Sequence, residues 1–292
     1  MTVAVLFAFL APIVWALMNV MDKYVLSHRV QNPLSYAAVV GIVNIVYGVI
    51  LASFLSWSNI RMQHILSPVL TGTFLGLYVY AYFKVLQSED ASHFIGLTYV
   101  FPIIVALLSF VFLHEKISIT GYMGMTISLT GVVLLSFRVK HLNLGKSIWM
   151  IVIVMFLGAG YEFWGKVSTL SIQPWNGIAI SSVALGFTIL PVLLHKHTRV
   201  FFSYECKNAQ WALITESLTL LALFSLYFAM TGLKATVVSA IGAIQPLAVI
   251  VFERIAHAKY DKITKDVELV PKLGSILLIV TGIVVLYISD VF

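Results

Sequence analysis

The chain is short of charge. Of its 292 residues only 10% are Asp, Glu, Lys or Arg, and 60% are hydrophobic. A soluble domain carries about 25% charged residues, so a water-soluble globule is excluded. Cysteine is nearly missing too. The single Cys206 rules out an intramolecular disulfide and any multi-cysteine metal site. The histidines (His28, His64, His93, His114, His141, His195, His197 and His257) are scattered near the ends of apolar runs. His195-x-His197 alone is too little to hold a metal firmly. No Asp-rich prenyl-phosphate motif and no Ser/His/Asp arrangement stands at a workable spacing. Metal, cofactor and nucleophile signals are therefore all lacking, and the reading is a non-enzyme with no cofactor. The net charge of +6 reports basic loops on one membrane face rather than nucleic-acid binding.

What remains is apolar sequence in long runs. A helix needs about 20 apolar residues to cross a bilayer. The runs are apolar on all sides, without the alternating polarity of barrel strands. Ten helical spans fit, at roughly 3–21, 34–57, 67–87, 92–113, 118–137, 147–166, 175–194, 210–231, 236–254 and 270–289. Val3 to Val20 has no basic flank and no clear small-residue cleavage site, so it reads as a retained helix and not a signal peptide. Most connections are very short, such as His114–Ile117 and Lys234-Ala235, so neighbouring helices must run antiparallel. The stretch 255–269 mixes Lys and Asp and reads as a solvated loop.

The sequence also repeats. Trp15-Ala-Leu-Met-Asn-Val-Met-Asp-Lys23 aligns with Gly158-Ala-Gly-Tyr-Glu-Phe-Trp-Gly-Lys166 at an offset of 143. That offset lays Asn19 on Glu162 and Lys23 on Lys166. Asp90-Ala91-Ser92 through Pro102 aligns with Lys234-Ala235-Thr236 through Pro246 at an offset of 144. Thr130-Gly-Val-Val-Leu-Leu135 matches Thr281-Gly-Ile-Val-Val-Leu286 at 151. Two five-helix repeats, 1–143 and 144–292, follow. An odd number of spans per repeat inverts the second copy relative to the first, and such proteins place a site at the repeat interface near the midplane. Apolar helices resemble one another by composition, but Ala-Ser/Thr at a helix start followed by Pro in register, twice, argues for a true repeat.

Basic residues set the orientation. Arg61, Lys116, Lys166 and Lys234 fall on the side that holds both termini. The other fourteen of the eighteen Lys and Arg, Arg138, Lys140, Lys146, Lys196, Arg199 and Lys207 among them, fall on the opposite side. The positive-inside rule puts that basic side in the cytoplasm and both termini outside the cell membrane.

Helical spacing groups the polar and aromatic residues into faces. Trp15 and Asn19 share one, as do Tyr78 and Tyr82. Ser92, Tyr99 and Pro102 share another, and Gly158 and Glu162 another, with Tyr161 beside them. Glu216, Leu223 and Tyr227 share a face, as do Ser239, Gly242 and Pro246, with Gln245 one step round. Aromatic walls with a few polar groups suit a small organic solute, and Tyr and Trp faces attract organic cations. Glu162 carries most of this argument, because a carboxylate inside a membrane span is costly unless it faces protein or water.

Each residue also has a structural reading. Trp and Tyr near span ends are more often interfacial anchors; this is favoured for Trp57, Trp149, Trp164 and Trp175. Gly158 and Gly242 could serve close helix packing. Asn19 could hydrogen-bond across helices. Glu162 could pair with Lys166 one turn on, although Lys166 is expected to snorkel to the surface. Glu216 lies near a helix start, where an acid complements the dipole. Pro102 and Pro246 free backbone carbonyls mid-span and could act as bending points, though packing alone tolerates them.

The ordered set of signatures resembles the drug/metabolite transporter superfamily in its EamA branch. Trp15-Ala-Leu-Met-Asn19 with Lys23 is like the family's Trp-(small)-x-x-Asn-x-x-x-Lys helix. Ala91-Ser92, Pro102 and Leu113-His114-Glu115 are like its fourth helix ending in a glutamate. The Thr-Gly-Val-Val-Leu-Leu run on each half's last helix completes the set. Lys259 departs from the pattern where Glu115 would predict an acid, which favours a helix-end role for Glu115. The resemblance implies a transporter of a small metabolite such as an amino acid or amine, often an exporter. It also implies a ten-helix basket with spans 1, 3, 4, 6, 8 and 9 around a central cavity. Members commonly keep both termini in the cytoplasm, opposite to the charge count.

Three functions compete. The first is a secondary transporter of a small organic solute, possessing Glu162 and Glu216 as proton-coupling candidates and working by alternating access. The second is a lipid or lipid-linked-group flippase, which needs a basic cluster within the membrane that the sequence lacks. The third is a membrane-embedded enzyme, ranked below both. The partners are the solute and the bilayer, with no nucleic acid; a monomer and a homodimer are both open.

Overall fold

The computed structural model describes residues 2–58, 60–87, 91–137, 144–259 and 273–290, and among these there is no strand. The helices are α1 (Thr2–His28), α2 (Pro33–Ser53), α3 (Met62–Leu86), α4 (Ala91–Thr98), α5 (Pro102–Phe112), α6 (Ile119–Phe137) and α7 (Leu144–Ser171). They continue as α8 (Pro174–Ile189), α9 (Lys196–Glu205), α10 (Ala209–Gly232), α11 (Ala235–Ile241), α12 (Gln245–Lys259) and α13 (Leu273–Asp290). Short 3-10 turns lie at Leu190–Leu194, Cys206–Asn208 and Gly242–Ile244. Helices are the expected solution, because a lipid-facing backbone must satisfy its own polar groups. Seven helical segments among the described residues are long and apolar enough to cross a membrane, and three shorter ones are apolar. The outer surface is apolar as well, with Leu6, Val49, Leu107, Phe187 and Leu277 all exposed. Asp90, Arg138, Lys140 and most of the expected solvated loop lie outside the described residues.

Two helices are interrupted within the apolar region. The first stops at Thr98 and restarts at Pro102, which occupies the first turn of α5. There a missing N–H costs nothing, since the first-turn donors have no intrahelical partner anyway. The second passes from α11 through the 3-10 turn Gly242–Ile244 into α12, with Pro246 second in that helix. The interruptions meet: a side chain at Gly242 would run into the Tyr99 hydroxyl.

Packing follows small residues. α6 and α13 run antiparallel, with Gly131 against Ser275 and Gly124 against Gly282. α2 and α8 cross at Gly41 and Gly186. α1 lies antiparallel to α10, with Ala4 near Gly232 and Met18 near Thr219. α3 lies antiparallel to α7, with Phe74 over Gly160 and Thr71 near Gly165. Small residues allow close backbone approach, the dominant attraction between helices in lipid.

The connections sort onto two faces. On one, Asn176 donates to the Ser56 carbonyl, and the Ala235 and Thr236 amides donate to Glu115. On the other, α9 packs on the α1–α2 connection. A loop was expected between residues 194 and 210, and α9 stands there instead. Its last residue, Glu205, explains its position. The buried carboxylate accepts hydrogen bonds from the Gln31 and Asn32 amides at 2.8 and 3.0 Å and from Asn208 Nδ2 at 2.9 Å. Glu205→Ala leaves those donors unpaired and is expected to cost about 2 kcal/mol, read as a lower thermal unfolding midpoint.

Candidate functional site

The central cavity is built by repeating one helical pattern. On α1, Trp15, Met18, Asn19 and Asp22 fall at i, i+3, i+4 and i+7. On α3, Leu75, Tyr78, Val79 and Tyr82 do the same. This spacing lines one face of a helix, and the two faces oppose each other. Tyr99 and Phe101 enter at the first helix interruption, Tyr161 from α7, Glu216 and Thr219 from α10, and Gln245 from the second interruption. Only about 40 Å³ is open inside. One water needs roughly 10–15 Å³ on this measure, so the cavity as it stands admits a few waters and no organic solute.

The walls are aromatic and ordered by contact. Tyr78 stacks on Tyr82 at 5.7 Å, and Tyr161 meets the edge of Tyr78 at 5.8 Å. Trp15 meets Tyr161 at 6.0 Å. The Tyr82 hydroxyl donates to Asn19 Oδ1 at 2.9 Å. Carboxylates stand at both ends of this ladder. Glu162, 2% exposed, lies near Tyr78, Tyr99 and Tyr161, and its Oε2 has no hydrogen-bond partner. Ser239 on α11 lies beside it, yet its hydroxyl closes no hydrogen bond. Asp22 of α1 and Glu216 of α10, two helices that pack on each other, both line the cavity. Glu216 accepts from Asn44 Nδ2 at 2.8 Å. No lysine, arginine or histidine is among the described residues lining the cavity.

The structure therefore brings together Trp15, Asn19, Tyr78, Tyr82, Tyr99, Tyr161, Glu216 and Gln245, with Glu162 and Ser239 adjoining. Tyr227 is elsewhere. It points the other way from α10, toward α8, and its hydroxyl lies 2.9 Å from Ser181 Oγ. Pro102 and Pro246 mark the interruptions and do not line the cavity. Trp15 is buried within the wall, whereas Trp57, Trp149 and Trp175 are exposed. Asp22 is the residue that sequence reasoning missed. Its signal was available: it stands three residues beyond Asn19 and seven beyond Trp15, on the same face.

Lys166 corrects the expectation that it snorkels. It is 8% exposed, donates to the Met230 and Leu233 carbonyls at 2.7 Å each, and lies 3.7 Å from Glu115. It thus caps the C-terminus of α10 and does not neutralise Glu162. Lys23 caps α3 in the same way, donating to the Leu86 carbonyl at 2.9 Å. Glu115 in turn accepts from the first amides of α11, where an acid complements the helix dipole.

Comparison with known proteins adds two findings. The sequence profile of the EamA-like transporter family matches residues 2–137. A solved crystal structure superposes with a TM-score of 0.72 over 98% of each chain at 14% identity, which establishes a shared fold. No curated protein matches the chain.

Proposed function

We propose that the chain, whose residues 2–137 match the EamA-like transporter family, is a transporter of that kind and carries a small cationic organic solute across the membrane by alternating access. The observation that carries this is the charge balance of the cavity. Two buried carboxylates, Asp22 and Glu216, line an aromatic-walled space whose described lining holds no basic side chain, and a third, Glu162, is buried beside its Tyr161. Buried charges need partners, and an amine or amino acid supplies one that aromatic faces also attract.

The mechanism rests on two inverted five-helix repeats, 1–143 and 144–292, giving ten spans. Several paired contacts support it. The α1–α10 and α3–α7 packings exchange under the repeat offset, because α1 corresponds to α7 and α3 to α10. The lysine caps exchange as well, Lys23 on Leu86 corresponding to Lys166 on Met230. The cavity lies on the surface between the repeats, where such transporters bind. Solute entry requires the closed cavity to open, and the interruptions before Pro102 and around Pro246 are the weak points in the backbone where the wall helices can swing.

Thermal stabilisation of the purified protein tests this reading. A panel of primary and quaternary amines, amino acids, nucleobases and sugars is screened at pH 6 and pH 8. An amine or amino acid is expected to raise the unfolding midpoint, because a ligand that binds only the folded state stabilises it. Stabilisation by sugars or nucleobases alone would sink the cationic reading.

Orientation has its own test. Cys206 is the single cysteine, and it is exposed beside α9 on the basic face. With that face in the cytoplasm, a membrane-impermeant maleimide is expected to label Cys206 only after cells are permeabilised. Labelling of intact cells would reverse the orientation.

A further inference from the structure

We propose that α9 and the adjoining end of α1 form a docking surface for the headgroups of anionic phospholipids. The two faces of α9 differ in character. Thr198 and Glu205, seven residues apart, are buried, and Phe201 and Phe202 between them are half-buried. Lys196, Arg199, Val200 and Ser203 follow the spacing i, i+3, i+4 and i+7 and are all exposed, so they share the opposite face. The inner face is fastened to the rest of the fold. Ser35 Oγ donates to the Thr198 carbonyl at 2.7 Å, and Glu205 accepts from the Gln31 and Asn32 amides.

The outer face carries charge of one sign. Glu205 is the only Asp or Glu from Phe163 to Thr215, and there is none from Lys23 to Ser88. Glu205 is fully buried and turned inward. Lys196 and Arg199, and Lys207 in the turn that follows, therefore have no acid on their own segment to answer them. Arg29 of α1 joins the same surface. Asn208 Nδ2 donates to its carbonyl at 3.1 Å, and its guanidinium donates to the Tyr24 hydroxyl at 3.5 Å.

Apolar side chains lie bare among these bases, Val200 at 65% and Leu194 at 84% exposed. A basic face with bare apolar groups suits the boundary between headgroups and acyl chains better than open water. The aromatic residues mark the same level. Tyr24 meets Trp211 edge to face at 5.7 Å, and Tyr and Trp gather at the membrane–water interface. The charge count gives this face to the cytoplasmic leaflet, which is the anionic one.

None of these residues is among those lining the central cavity, so failure of this proposal leaves the transport reading standing. Purified full-length protein in neutral detergent is mixed with equal amounts of phosphatidylglycerol and phosphatidylcholine, and the lipids it retains are counted by native mass spectrometry. Phosphatidylglycerol is expected to be retained in preference. Arg199→Gln and Lys207→Gln are each expected to lower the preference about fivefold, and the two together about 25-fold. Arg61→Gln removes the same charge from an exposed residue on the opposite face and is expected to leave the preference unchanged. Equal retention of the two lipids by the wild type overturns the proposal without recourse to any variant. A preference that survives in the double variant, or that falls as far in Arg61→Gln as in Arg199→Gln, overturns it too.

Discussion

Glu162→Gln is expected to weaken amine binding by at least about 30-fold, roughly 2 kcal/mol, with no loss of folded-state stability. The two halves of this result have one cause. Glu162 has no cationic partner among the described residues, since Lys166, one turn on, is engaged by Met230, Leu233 and Glu115. The unpaired carboxylate therefore contributes nothing to stability that glutamine lacks, and the variant is expected to melt at or above the wild-type temperature. With a bound ammonium the balance reverses, because the carboxylate supplies the opposite charge at short range in a poorly screened site. A protonated carboxyl no longer pairs with an ammonium, so wild-type amine affinity is expected to fall on acidification, while the low affinity of Glu162→Gln stays flat with pH. Titration by calorimetry across that range reads both effects. A variant that binds the amine like wild type would return Glu162 to a packing role.

Gly282→Val is expected to damage the fold severely. A Cβ there would run into the Ser128 amide nitrogen and stand 2.5 Å from the Gly124 carbonyl oxygen. Both obstacles are backbone, so no side-chain rotation relieves them. Gly124 faces Gly282 at the same crossing, and α13 must shift bodily off α6. Overpacking a close contact typically costs 1–3 kcal/mol; with backbone on both sides, the upper end, about 3 kcal/mol, is the expectation. The measurement is the unfolding midpoint or the yield of monodisperse protein. Gly274→Ala is the control, because a Cβ at Gly274 meets nothing within 4 Å. Equal behaviour of the two variants would contradict the close crossing.

The contrast between those glycines indicates what could be read in advance. The Thr-Gly-Val-Val-Leu-Leu repetition marked α6 and α13 as related helices, and they do pack on each other. The offset laid Lys23 on Lys166, and in the structure each caps the end of a neighbouring helix. It did not say what the role is, because a lysine near a span end snorkels or caps according to which carbonyls the neighbouring helix ends present. Faces were legible for the same reason that helices were: the spacing 15, 19 and the spacing 78, 82 fix a side of a helix. Which side turns to the cavity was not. In this fold most helices have neighbours on several sides, so Tyr227 spends its hydroxyl on Ser181 while Glu216, on the same helix, enters the cavity. Asp22 was hidden by its position beside Lys23, which invites a local surface reading that burial overturns. α9 left little trace, since ten residues of mixed charge and aromatics read equally well as a loop until Glu205 finds the amides of residues 31 and 32.

Uptake of a radiolabelled amine into proteoliposomes is the most direct test of the central claim that this cavity carries a cationic solute between the repeats. The amine is the one that stabilises the purified protein most. Saturable uptake that exceeds that of empty liposomes, exchanges with unlabelled amine loaded inside, and drops at least about 30-fold at limiting concentration in Glu162→Gln is the result expected here. Binding without any exchange across the bilayer, or uptake in Glu162→Gln equal to wild type, would contradict it.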